Sequence, residues 1–158
     1  GQRGELMVRG TSMIRGYWDN PKANASSFTD GWFHTGDVAY LDEDGFVFIV
    51  DRLKQLIIRG GENIGCGEVE AALLNHPDVI EASVYGVPDE RLGEEIGATV
   101  YVRQAVDEEA LRGFLVDHLA RFKIPRYISL TFEVLPRIAS GKIDKIELRA
   151  KHAKALGL

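Results

Sequence analysis

The 158 residues carry 19 basic and 24 acidic side chains, a formal net charge of −5, and the dispersed Lys and Arg argue against a general nucleic-acid surface. A hydrophobic share of 45% with 27% charged residues belongs to a folded chain, not a disordered one, and its apolar runs are too short to cross a bilayer. Nothing at the start resembles a signal peptide, and the single Cys66 cannot close an internal disulfide, so a reducing, cytoplasmic setting is expected.

The opening Gly1-Gln2-Arg3-Gly4, without an initiator Met, reads as the middle of a longer chain. Residues 5 to 50 read as short strands broken by turns. Glu5 to Arg9 is a strand ended by Gly10, and Asn20-Pro21 disfavours helix at Asn20 while opening a short helix over Pro21 to Ser27. Asp30-Gly31 makes a tight turn before Trp32 and Phe33. Val38 to Leu41 and Phe46 to Val50 flank Asp42-Glu43-Asp44-Gly45 as a hairpin, whose acidic turn lacks the rest of a calcium loop. A charged knot, Asp51, Arg52 and Lys54, leads into a short strand over Gln55 to Ile58 and then into Gly60-Gly61.

From Gly67 the period changes. Val69, Ala72 and Leu73 share one face of a helix that Pro77 stops. Three runs of period two follow, carried by Ile80, Ala82 and Val84, by Ile96 to Val102, and by Ile128, Leu130, Phe132 and Val134; each reads as a strand with one buried face. Between the second and third, Leu111, Phe114, Leu115, His118 and Leu119 form one helical stripe with Asp107 as N-cap, Arg121 and Lys123 near its end, and Pro125 as its stop. A last helix starts at Asp144, with Glu147 in a capping-box spacing, and runs to about Ala155. The expected fold class is α+β: a small three-stranded sheet flanked by helices with an N-terminal β hairpin, preceded by strands from a larger β-subdomain. The joint is expected between residues 1–50 and 51–158.

Four stretches could carry chemistry. In Thr35-Gly36-Asp37 a glycine lets the backbone approach a ligand while the carboxylate accepts from vicinal hydroxyls, as a ribose offers; a plain Gly-Asp turn is the bland alternative. Arg52 presents a rigid donor fork that Asp51 could hold in place, or the two form a weak surface pair. Gly60-Gly61 admits a thin ligand, or is an ordinary hairpin turn. In Pro136-Arg137-Ile138-Ala139-Ser140-Gly141-Lys142-Ile143 a P-loop fails on spacing: Pro136 stands where the first glycine belongs, and Ile143 where a magnesium-binding Ser or Thr belongs. What remains is Lys142 on a flexible loop, a mobile cation or a solvated lysine. His118 reads as a core or boundary residue, His34 as a packing or pocket residue, and no Cys/His spacing supports a metal site.

In order and separation, Trp32-Phe33-His34-Thr35-Gly36-Asp37, the run from Asp51-Arg52-Leu53-Lys54 through Gly60-Gly61-Glu62-Asn63-Ile64, Gly86-Val87-Pro88-Asp89 through Gly93-Glu94, and Pro136-Arg137 with Ser140-Gly141-Lys142-Ile143 resemble the C-terminal part of adenylate-forming enzymes. Asp-Arg-Leu-Lys with Gly-Gly-Glu-Asn is most similar to fatty-acyl-CoA synthetases. The resemblance implies ATP-dependent adenylation of a long- or medium-chain fatty acid, then transfer to CoA with release of AMP. It implies nucleotide binding by Thr35, Asp37 and Arg52, a hinge at Lys54, CoA binding at Gly60 and Gly61, and catalysis by Lys142 during adenylation only, a lysine at which such enzymes are often acetylated. The phosphate loop, the other nucleotide contacts, the acyl pocket and most of the Mg2+ binding would belong to a large N-terminal domain absent here, so the fragment alone is expected to be inactive. The partners implied are ATP, the carboxylic acid, CoA and that missing domain of the same chain, with no nucleic acid and no membrane span; peripheral membrane association stays open. Many relatives have Tyr-Pro at Gly65-Cys66, a departure that loosens the helix start. An adenylation domain loading a carrier protein, which usually has Asp in place of the hinge Lys, and a non-catalytic binding module of this fold are the alternatives.

Overall fold

Among residues 1–157, which the computed structural model describes, backbone pairing gathers the chain into two units, Gly1–Lys54 and Gln55–Leu158. The first is an antiparallel sheet of β1 (Gly4–Val8), β2 (Phe28–Thr29), β3 (Trp32–Leu41) and β4 (Val47–Arg52), with the short helix α1 (Pro21–Ser27) before β2. Asn20 caps α1 by accepting the Ala23 N–H at 3.0 Å, and Pro21 occupies its first turn as expected. Asp30 and Gly31 both take left-handed φ, 49° and 80°, which closes the two-residue hairpin in which Thr29 faces Trp32. Asp42 Oδ1 accepts the N–H groups of Asp44 and Phe46, so that acidic turn is tied by its own carboxylate. β3 is longer than the sequence suggested. It begins at Trp32 and carries Thr35-Gly36-Asp37 inside a strand, not at a turn.

The second unit is built on β7 (Val79–Asp89) and β8 (Gly93–Val102), an antiparallel pair. β7 lines one edge of β8 for its whole length. The other edge is shared: β5 (Leu56–Arg59), in a hairpin with β6 (Glu62–Gly65), meets it through Arg59 and Gly93, and β9 (Tyr127–Thr131) runs parallel to it from Gly97 onward. The expected three-stranded sheet therefore has the hairpin joined to it, making five strands. Helices α2 (Cys66–Leu74) and α3 (Glu108–Val116) bury Val69, Leu73, Leu111 and Leu115 against Val84, Ile96 and Val100. On the opposite face, Leu148 of α4 (Lys145–Ala155) packs with Tyr85, Val87 and Leu135.

Four expectations change. The central strands bury both faces, not one: Ser83 and Tyr85, on the polar side of the alternation, are as buried as Val84. β9 stops at Thr131, where the chain bends; Phe132 and Val134 are 65% and 63% exposed and Leu135 takes the core position at 2%. α3 ends at Val116, ahead of the expected Pro125, so Arg121 and Lys123 lie in a separate 3₁₀ turn. Asp144 does cap α4, accepting the N–H groups of Ile146 and Glu147, but its own N–H donates to the Pro136 carbonyl at 2.7 Å, and the reciprocal half of a capping box is not made.

Candidate functional site

In the first unit the candidate residues sit on a bulge. Glu5 faces Val38 and Met7 faces His34, so three residues of β3, Thr35 to Asp37, stand opposite Leu6 alone. Gly36 supplies the φ of +72° that the bulge requires. Thr35 Oγ1 donates to the Leu6 carbonyl at 2.7 Å and accepts the Asp37 N–H at 3.0 Å, while Glu5 Oε1 accepts the Gly36 N–H at 3.1 Å. The Thr35 hydroxyl is thus engaged with backbone and holds Asp37 in position. His34 is fixed between Glu5, 2.8 Å from Nδ1, and Thr29, 2.9 Å from Nε2. Sequence reasoning passed over Glu5, which binds both the bulge and the imidazole.

A second bulge, between β3 and β4, brings Asp37 opposite Arg52. Asp37 and Arg52 are Cα partners across β3 and β4, and form an ion pair with Arg52 Nε 2.9 Å from Asp37 Oδ1. The partner expected from sequence was Asp51. Its Oδ1 accepts the Arg52 backbone N–H at 2.7 Å, which stiffens the strand end. Asp37 is mostly covered whereas Arg52 is 60% exposed, so a carboxylate oxygen and an exposed guanidinium edge stand together at the sheet margin. Lys54 follows at once, exposed, in a 3₁₀ turn (Leu53–Gln55) at the point where the chain divides.

In the second unit Gly60 and Gly61 form the two-residue turn between β5 and β6, with φ of 58° and 91°. A side chain at Gly60 would press on Leu92, whereas the space beside Gly61 is open. The Gly60 N–H donates to the Leu92 carbonyl at 2.8 Å. The turn is a hairpin turn, as the plain reading had it, and it leaves one face of Gly61 accessible.

Lys142 belongs to a tight loop, and this corrects the flexible loop expected from Ser140-Gly141. Arg137 and Ile143 form an antiparallel bridge, the Ile138 N–H donates to the Lys142 carbonyl at 2.9 Å, and Gly141 turns at φ +84°. Arg137 fastens the loop twice, through Nη1 to the Gly141 carbonyl at 2.8 Å and through Nη2 to Glu81 on β7. The Lys142 side chain is exposed and its ammonium has no partner among the described residues. A fixed backbone with an unpaired cation can deliver charge to an anionic ligand without first breaking an ion pair.

Residues 68–142 match the AMP-binding enzyme C-terminal domain. The chain is 48% identical over 145 residues to an oxalate–CoA ligase of Arabidopsis thaliana, covering 90% of this chain and 28% of that one. It is 47% identical over 150 residues to a 2-succinylbenzoate–CoA ligase of Geobacillus kaustophilus, covering 94% and 30%. The o-succinylbenzoate CoA synthetase of Bacillus subtilis, solved with its acyl-adenylate intermediate, superposes with a TM-score of 0.87 at 40% identity, over 94% of this chain and 30% of that one. The chain therefore spans about 30% of the length of the proteins it matches.

Proposed function

Because this chain belongs to the adenylate-forming, AMP-binding enzymes, whose C-terminal domain it carries, we propose that it is the C-terminal part of an ATP-dependent ligase that joins a carboxylic acid to CoA. The observation that carries the reading is the unpaired Lys142 ammonium on a pinned loop, in the unit that also holds the Gly60–Gly61 turn.

In the first half-reaction a carboxylate oxygen of the substrate attacks the α-phosphorus of ATP, the acyl–phosphate bond forms, and pyrophosphate leaves. Lys142 stabilises the negative charge that gathers on the carboxylate and phosphate oxygens. Asp37 accepts from the ribose hydroxyls, and Arg52, ion-paired with it, donates from its guanidinium N–H groups. Thr35 positions Asp37. In the second half-reaction the CoA sulfur attacks the acyl carbon, loses its proton, and AMP departs; the open face of Gly61 admits the thin thiol arm. Lys54 is the hinge that re-aims the second unit between the steps. ATP enters as its magnesium complex, and no residue of this chain is assigned to that metal.

The acyl group proposed is a medium- or long-chain fatty acid, on the strength of Asp51-Arg52-Leu53-Lys54 with Gly60-Gly61-Glu62-Asn63. The relatives named for oxalate and 2-succinylbenzoate make those acids the competing substrates. The test measures carboxylate-dependent pyrophosphate release by the full-length protein across fatty acids of rising length, oxalate and 2-succinylbenzoate, wild type against Lys142→Ala. The variant should lose roughly 100-fold in pyrophosphate release, the cost of one stabilising donor, and keep thioester synthesis from preformed acyl-adenylate. Equal rates would make Lys142 an ordinary surface lysine and overturn the reading.

A further inference from the structure

The hairpin β5–β6 reaches the rest of its sheet through a single strand pair, Arg59 with Gly93. A glycine turn hung on one pair would wander, yet three contacts from one short stretch hold it. The Leu92 carbonyl accepts the Gly60 N–H, Glu94 Oε2 accepts the Ile58 N–H at 3.0 Å, and Glu95 takes the Arg59 guanidinium on both oxygens. Glu95 is only 3% exposed, a carboxylate removed from water whose place is justified by its partners. Arg126, the residue before β9, lies 3.8 Å from its Oε2. Glu95 therefore ties together the two elements that share one edge of β8.

The flanking residues are shaped for the same end. Asp89 Oδ1 accepts the N–H groups of Arg91 and Leu92, which sets the turn carrying the Leu92 carbonyl, and those backbone donors hold its carboxyl below the ordinary range. Gly93 closes that turn at φ +79°. A Cβ at Gly86 would lie 2.5 Å from Glu94 Oε1, so glycine there leaves room for the Glu94 side chain to cross the sheet between Ile58 and Arg149.

We propose that Glu95, acting through Arg59, is a positioning residue for the Gly60–Gly61 turn in the thioester-forming half-reaction. The inference rests on the reading of that turn as the CoA passage. Lys142 lies in the same unit and serves as an internal control, since a fold defect there would damage adenylation as well.

The experiment uses the full-length ligase with each half-reaction measured apart. Glu95→Gln should raise the KM for CoA, or slow thioester formation from preformed acyl-adenylate, about tenfold, while pyrophosphate release stays within about twofold. Arg59→Gln should give the same split, and the double variant should be no worse than either, because both act through one contact. Equal loss in both half-reactions, no loss in either, or additive losses would overturn the proposal. If Glu95→Gln does not fold, Leu92→Ala, which removes the side chain backing Gly60, is judged by the same split. Gly61→Val separates the layers. If it spares thioester formation, the CoA-passage reading is wrong; if it abolishes it while Glu95→Gln does not, the positioning role alone is wrong.

Discussion

Arg52 stands directly across the β3–β4 ladder from Asp37 and forms an ion pair with it, Nε lying 2.9 Å from the carboxylate. The pairing depends on a bulge: Val38 faces Asp51 but Ala39 faces Ile49, leaving Val50 as an extra residue. Without that shift the guanidinium would point to the other side of the strand. A planar fork can hold a carboxylate with one edge and a ligand with the other in fixed geometry, whereas an ammonium is a compact point charge on a flexible stem. Arg52→Lys is therefore expected to raise the KM for ATP roughly tenfold, about 1.4 kcal/mol, with little change in the KM for CoA. Steady-state kinetics with each substrate varied in turn would read it. An unchanged ATP KM would reduce the pair to an exposed ion pair.

Gly60→Ala should destabilise the second unit by about 1–3 kcal/mol. The residue sits at φ +58°, where an L side chain is strained, and the new methyl meets Leu92 at 3.1 Å. Gly61→Ala carries the strain of φ +91° without the steric contact, so its cost should be smaller. Urea midpoints followed by circular dichroism would rank the two, and the reverse order would contradict the turn geometry.

The bend after Thr131 makes a sharp contrast testable. Phe132→Ser should change stability by no more than about 0.5 kcal/mol, since the ring faces solvent. Leu135→Ala should cost about 2–5 kcal/mol, since Leu135 fills the core beneath α4. Were the strand to continue as the alternation suggests, the larger loss would fall on Phe132.

His152 gives the second unit a pH dependence. Its Nδ1 lies 2.9 Å from the Tyr85 hydroxyl, which also lies 2.5 Å from Thr99 Oγ1. Burial pushes the imidazole below its ordinary value, against a smaller upward pull from Glu108, and burial likewise pushes the Tyr85 phenol up. The unfolded chain then binds a proton more readily than the folded one, so stability falls as pH drops below about 6.5 and levels off beneath the folded value; above that window His152 contributes no slope. The urea midpoint should fall between pH 7 and pH 5.5, and His152→Gln should lose less over the same interval. Identical losses would show that the buried imidazole is uncoupled from folding.

Much of this was legible because short-range rules act on single residues. Pro21 and Asn20, Asp107 and Asp144 set helix starts, and Asp30-Gly31 and Gly60-Gly61 set hairpins, where left-handed φ demands those residue types. What stayed hidden depends on layers that meet late in the chain. The polar face of β8 reads as solvent-facing because α4 buries only Leu148 and so carries a weak apolar signal, yet α4 covers that face. Glu95 lies on the same side and reads as a surface carboxylate until Arg59 is brought to it from 36 residues away. Phe132 and Val134 extend a true alternation past the bend that ends the strand. Asp37 and Arg52 were both visible, but their pairing waits on a bulge that period-two patterning does not encode.

Among the described residues of the second unit, β9 is the one strand that lies parallel to its neighbour. β7 and β8 are joined by a turn of a few residues, whereas β9 can reach β8 only after the chain has passed through α3 and the 3₁₀ turn at Arg121–Lys123. Closing that longer crossover costs more chain entropy, so the antiparallel pair should assemble first and β9 dock last. Until it does, the edge of β8 from Gly97 to Tyr101 is bare, an unguarded template for another chain. Refolding yield should therefore fall with protein concentration, and destabilising changes in β9 should speed unfolding more than they slow folding.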